Sequence, residues 1–158
     1  MNDNLSGKKV SIHEFNGASA VMRPNEEYQK PEAEDKNPEE ERVKSNKQTF
    51  KNLRAQAYWN VRDRMFNTYL AIEKGIYTDP DDMISLSSDI PMLDKLRSEV
   101  CRIPSKPNGS GLKQIMTKPE MRKLKIKSPN MADSLMMLFG FEIKQTSGAV
   151  SLNFARAS

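Results

Sequence analysis

Apolar residues recur at spacings of four and three from Phe50 onward. Leu53, Ala57, Val61, Met65, Tyr69 and Ile72 fall on one face, and Gly75 supplies a stop. This period predicts a long core-facing helix over 50–75. Trp59, Phe66 and Leu70 widen its apolar side, and Arg54, Arg62, Asp63 and Arg64 occupy the other. Two alternatives stay open on it: Tyr58 and Trp59 either pack in the core or stack on bases, and Arg54 and Arg62 either contact phosphates or pair with nearby acids. Beyond Gly75, Asp79-Pro80-Asp81-Asp82 marks a turn or helix start and Met83 to Leu86 a short strand. Pro91 to Cys101 reads as a second helix with Leu93, Leu96 and Val100 inward. Pro104 to Gly111 is a loop, Leu112 to Met116 a strand, and Lys118 to Leu124 a short helix. Gln145 to Ser158 is a small, polar tail with a short strand around Val150 to Phe154. Two or three strands alternating with helices predict an α/β layer whose visible strands are too few for a complete sheet.

The last helix carries the most chemistry. Ser128 suits an N-cap and Pro129 the first helical position, so the helix from Ser128 to Phe139 has a well-marked start. Met131, Ala132, Leu135, Met136, Met137, Leu138 and Phe139 make its circumference too apolar for a surface helix. Asp133 sits in that setting just beyond the first turn. Either it faces water and gains about 0.3–1 kcal/mol from the helix dipole, or it is buried and requires a partner, a hydrogen bond or a metal.

Charge adds a segregation that the net value of +4 conceals. From Glu26 to Glu41 eight acids stand against Lys30 and Lys36, with Pro24, Pro31 and Pro38 interspersed and almost no apolar residues. Such a segment cannot bury enough surface to offset its ordering entropy and is expected to be a mobile loop. From Lys95 to Lys127 ten basic residues face only Glu99 and Glu120. That stretch is either a phosphate-contacting surface or a soluble face without a ligand.

Three blocks, in order and at similar spacing, resemble the C-terminal half of the nuclease domain of tailed-bacteriophage terminase large subunits. They are Asn52-Leu53-Arg54-Ala55-Gln56-Ala57-Tyr58-Trp59 with Arg62-Asp63-Arg64, then Asp79-Pro80-Asp81-Asp82, then Lys127-Ser128-Pro129-Asn130-Met131-Ala132-Asp133-Ser134-Leu135. Val10 to Gly17 is similar to the strand that precedes this region in the family. The family pattern more often has Asp at the place of Asn130 and Ala at that of Ser134. The resemblance implies an α/β fold, a partial ribonuclease H-like nuclease domain with few strands, three to four helices and a disordered acidic loop. It divides the chain into a sheet strand in 1–20, the acidic loop in 21–48, the C-terminal part of the nuclease domain in 49–140 and a tail in 141–158.

The same resemblance implies cleavage of concatemeric viral DNA with Mg or Mn held by acids from separate parts of the chain. Of those acids only Asp133 aligns, as catalytic and metal-binding residue. The earlier ones are expected upstream of Val10, so the shared site is incomplete here and the chain is expected to be inactive alone. A two-metal site needs several ligands. Glu14, Asp79, Asp81 and Asp82 are poor substitutes, and exposure is expected for each. Arg122, Lys123, Lys125 and Lys127 are the expected DNA-binding residues. Implied partners are double-stranded DNA and other packaging proteins, namely an upstream terminase segment, the small subunit and the portal, in the host bacterial cytoplasm.

Other chemistries are excluded by what is missing. No G-x-x-x-x-G-K-S/T phosphate cradle is present, so no ATPase activity is expected. One His and one Cys cannot form a Cys/His zinc cluster, and no G-x-S-x-G element supports nucleophilic hydrolysis. His13 is expected exposed on its strand and Cys101 buried as a small apolar residue. A single cysteine fits a reducing cytoplasm, and neither a leader nor a membrane span is expected. The alternative function is a non-enzymatic remnant that binds DNA or packaging proteins through its basic segment.

Overall fold

Two helices crossing at small residues form the centre of the molecule. The computed structural model describes residues 14–31, 43–106 and 108–142, the side chains of residues 141 and 142 excepted. The first of the two helices is α2, Leu53–Tyr69, which follows a single turn, α1, Asn46–Thr49. The second is α5, Asn130–Glu142. At their contact the Cβ of any residue replacing Gly140 would lie 3.3 Å from Ala57 Cβ and 3.0 Å from the Phe15 ring. A side chain there would press on both neighbours, and glycine avoids it. Between the helices run α3, Leu93–Val100, the strands β1, Ser105–Lys106, and β2, Gln114–Ile115, and α4, Lys118–Lys123. β1 and β2 pair antiparallel, Ser105 with Ile115. The core joins Phe50, Ala55, Ala57, Tyr58, Val61, Ile84, Leu96, Ile115, Met121, Ala132, Leu135 and Met136.

The helix over 50–75 is present, opened by Asn52, whose side chain accepts from Ala55 N. It closes through a π-turn, Leu70–Lys74, onto Gly75 at φ 66. Its buried face differs from the expected one in the second half: Tyr69 and Ile72 are 48% and 73% exposed, while Asp63 and Asn67 are buried; Leu70 is buried as expected. The cause lies in what packs there. Asn67 Nδ2 donates to Asp82 O at 3.0 Å, Thr68 Oγ1 donates to Ile84 O at 2.8 Å, and Ile84 N donates to Thr68 Oγ1 at 3.0 Å. Arg64 donates to Asp81 O. Polar side chains of α2 thus satisfy the backbone of 81–84, which is why Met83 to Leu86 forms no strand.

α1 was not legible as a helix, although its Ser45-x-x-Gln48 spacing is a capping signal: Ser45 N donates to Gln48 Oε1 at 3.0 Å. It makes five α-helices among the described residues instead of three to four. The ends of the acidic segment lie side by side, since Tyr28 N donates to Lys44 O at 2.9 Å and Asn46 N to Glu26 O at 2.8 Å. The middle of that segment, His13, most of the strand over Val10 to Phe15 and the strand around Val150 to Phe154 lie outside the described residues. Glu14 and Phe15 are in no strand. Cys101 is exposed, not buried, because it follows α3 on the side turned from Leu96. Among the described residues no helix is long and apolar enough to cross a membrane.

Candidate functional site

Asp133 stands in the first turn of α5, its amide donating to Pro129 O at 2.8 Å. The residue is 8% exposed. Of the two readings left by the sequence, burial with partners is the one found. α2 supplies two of them one turn apart: Tyr58 Oη donates to Asp133 Oδ1 at 2.5 Å and Arg54 Nη2 to the same oxygen at 3.3 Å. Arg54 also donates to Met116 O at 3.0 Å, and its guanidinium lies 5.4 Å from the Tyr58 ring centroid. Thus Arg54 pairs with an acid and Tyr58 packs in the core, which closes both alternatives for these residues. The third partner, Lys118 on α4, brings Nζ to 3.0 Å from Oδ2 as an ion pair. Oδ2 is buried, and this ammonium is what it faces.

These contacts set the protonation state. Burial alone pushes the Asp133 carboxyl up, but the Tyr58 hydrogen bond, then Lys118 and Arg54, more than reverse this and hold it below the usual carboxylate range. Burial, then the hydrogen bond to Asp133, pushes the Tyr58 phenol well up, so Tyr58 remains a neutral donor. The site is an ionised carboxylate whose first oxygen is fixed and whose second faces an ammonium.

Lys118 is itself held in place by the start of α4. Thr117 N and Oγ1 donate to Glu120 Oε2 at 2.7 and 2.8 Å, and Lys106 Nζ of β1 donates to Glu120 Oε1 at 2.5 Å. The Lys106 bond, then those from Thr117, lower the Glu120 carboxyl to about 2. A depressed folded value means that this contribution is complete above the unfolded value of about 4.3 and is lost as pH falls toward the folded one. Thermal midpoints between pH 5 and pH 2 should therefore fall more steeply for the native chain than for Glu120→Gln, and parallel curves would show that the capping box adds nothing.

Arg122, Lys123, Lys125 and Lys127 are all exposed, and none is ion-paired among the described residues. They follow Lys118 through the C-terminal turn of α4. There Ile126 N donates to Met121 O at 2.9 Å and Lys125 N to Arg122 O at 2.9 Å, the paired bonds of a Schellman ending. Lys125 occupies its left-handed position at φ 58, where glycine is usual. Lys125→Gly is expected to stabilise the chain by about 0.5–1 kcal/mol, the relieved strain outweighing the added freedom of the unfolded chain. If Lys125 holds a phosphate, the same change lowers the salt slope of DNA binding by about 1. Denaturant midpoints and binding isotherms at several salt concentrations measure both effects.

The other acids do not join Asp133. Glu14, Asp79, Asp81 and Asp82 are exposed, and Asp79 caps the turn Pro80–Asp82, its side chain accepting from Asp81 N at 2.9 Å. Among the described residues no three His, Cys, Asp or Glu side chains come together. Asp133 fits one position of a hard-cation site, as an ionised oxygen donor whose Oδ2 is engaged, among the described residues, only by the half-exposed Lys118 ammonium. The described residues do not provide the rest of the coordination.

One more residue shapes the site without any local sequence signal. Ser128 does not cap α5; its hydroxyl donates to Asn130 Oδ1 at 2.8 Å. Glu99 Oε2, reaching from α3, accepts from Met131 N at 2.8 Å and Ala132 N at 3.2 Å. Nothing local signals a cap supplied from thirty residues away. Arg54 and Tyr58, four apart on one helix face, did carry a signal of shared direction.

No family model and no curated protein matches the chain. Solved structures do. The nuclease domain of the large terminase subunit gp2 of bacterial virus Sf6 is 38% identical with a TM-score of 0.72, over 85% of this chain and 55% of that one. A mutant of that domain with manganese and beta-thujaplicinol gives the same values. A mutant form with calcium is 36% identical at a TM-score of 0.69, again over 85% and 55%. The chain spans little more than half the length of these relatives.

Proposed function

This chain is related to the nuclease domain of phage large terminase subunits, a ribonuclease H-like fold, and on that premise we propose that it is a terminase fragment contributing to metal-dependent cleavage of concatemeric viral DNA during packaging. The observation that carries the proposal is the state of Asp133: buried and ionised, with Oδ1 held by two donors and Oδ2 facing, among the described residues, only the half-exposed Lys118 ammonium at 3.0 Å. Tyr58 and Arg54 anchor Oδ1, and Lys118 keeps positive charge at Oδ2. Asp133 is one ligand for Mg or Mn, and relatives solved with manganese and calcium support a divalent ion at this fold. When bound, such an ion neutralises phosphate charge and lowers the pKa of an attacking water. Arg122, Lys123, Lys125 and Lys127 would hold backbone phosphates of double-stranded DNA. The remaining acidic ligands come from a further terminase segment, and the small subunit and portal are the other partners this role implies.

The test is cleavage of double-stranded DNA with Mn²⁺, by the purified chain alone and after mixing with the complementary part of a related nuclease domain. Cleavage only in the mixture, abolished by Asp133→Asn, is the expected result. Cleavage by the chain alone would overturn the incomplete site, and a mixture indifferent to Asp133→Asn would overturn the role of the carboxylate. A second reading has its own support. Asp133 already faces two cations beside an exposed basic turn, as suits a module that binds DNA without cutting it. Binding that falls steeply with salt but ignores Mg²⁺, with no cleavage in any mixture, would favour that reading.

A further inference from the structure

The first turn of α5 exposes four amides that no residue within the helix can satisfy. Three are disposed of without difficulty in the chain geometry or close by: Asn130 N donates to Ser128 O at 3.0 Å, Asp133 N to Pro129 O at 2.8 Å, and Ala132 N shares an acceptor with its neighbour. That shared acceptor is a single atom, Glu99 Oε2, which takes Met131 N at 2.8 Å and Ala132 N at 3.2 Å. Glu99 stands on α3, whose Leu96 is anchored in the core, with Leu93 and Val100 packed against it. The oxygen is therefore delivered from a fixed element to the two residues immediately before Asp133.

We infer that Glu99 is a positioning residue for the Asp133 site: its carboxylate fixes the rotation of the first turn of α5 and so the place of Asp133 against Tyr58, Arg54 and Lys118. The rest of α5 does not need it. Ala132, Leu135 and Met136 bury the helix against the core whether or not its first amides are capped. What depends on Glu99 is where the first turn points. Asp133 Oδ1 must meet Tyr58 Oη at 2.5 Å and Arg54 Nη2 at 3.3 Å, while Oδ2 faces Lys118. Because each residue of a helix turns the chain by about 100°, a small unwinding at Met131 and Ala132 moves that carboxylate out of register. The local sequence has no substitute, since the Ser128 hydroxyl is committed to Asn130.

One oxygen accepting both amides makes the inference separable from a charge effect. Glu99→Gln retains a carbonyl oxygen able to take both bonds, Glu99→Asp keeps the charge but withdraws the oxygen by one methylene, and Glu99→Ala removes it. Amide hydrogen exchange in the 158-residue chain reads the cap directly. Met131 and Ala132 should exchange at least about tenfold faster in the Ala and Asp variants and within about twofold of the native rate in Gln. The catalytic consequence rests on the proposed nuclease function and is read in the complemented mixture with Mn²⁺. There kcat should fall about tenfold for Ala and Asp with KM for DNA unchanged, and Gln should restore it. Unchanged exchange at Met131 and Ala132 in either Ala or Asp would overturn the inference, as would a Gln variant as impaired as Ala. So would folded Ala and Asp variants that keep native kcat. A native mixture without activity would instead sink the nuclease reading, leaving the exchange arm to decide the role of Glu99; the Asp variant keeps the test open if Ala fails to fold.

Discussion

Replacing Asp133 by Asn is expected to destabilise the chain by about 2–4 kcal/mol, below the roughly 3–5 typical of breaking a fully buried pair because Lys118 is partly in water. The Lys118 side chain is 46% exposed and that of Arg54 18%, so Arg54 bears most of the loss. The asparagine oxygen can still accept from Tyr58, but its amide nitrogen would then be turned toward the Lys118 ammonium, two donors facing one another. The direction is informative. In a complete cluster of acids, removing one carboxylate relieves repulsion and stabilises; here, among the described residues, a carboxylate flanked by two cations and a phenol is removed, and the loss falls on its partners. A urea midpoint that rises with Asp133→Asn would show that other acids crowd the site. Since the Asp133 carboxyl is held below the usual range, its contribution is complete above about pH 4 and disappears as pH falls through the lower folded value. The gap between native and Asn midpoints should close on that descent.

Met121→Ala should cost about 2–5 kcal/mol, as expected for a long side chain lost from a packed interior. Met121 is 1% exposed at the centre of the core and sits on α4, three residues beyond Lys118. Leu124, 58% exposed at the end of the same helix, is the control: Leu124→Ala should stay within about 0.5 kcal/mol. Equal costs at the two positions would mean that α4 packs by a different face, and the placement of Lys118 against Asp133 would go with it.

The elements that the sequence made legible are those whose pattern is local. α3, α4, α5 and the long helix follow from periodicity and from start and stop residues. The brief strand at Gln114–Ile115 lies within the expected 112–116. The elements that were misread depend on partners distant in sequence. Met83 to Leu86 has the composition of a strand, but its backbone is engaged by Asn67 and Thr68 of α2 rather than by another strand. Tyr69 and Ile72 continue the apolar stripe and yet face solvent, because the polar residues beside them have backbone to satisfy. Cys101 was misplaced for a similar reason, its residue type outweighing a helix end that turns it outward.

By itself the sequence determined that a carboxylate would be set in an apolar helix behind a basic turn, since hydrophobic pattern and charge order are properties of the chain. Only the tertiary structure decided which groups answer it. Tyr58 and Arg54 are 75 and 79 positions away along the chain, Lys118 is on another helix, and Glu99 caps the turn from a third. A buried charge dictates that it must be compensated, but not by which residues; that choice is made when helices pack, where direction and distance replace order along the chain.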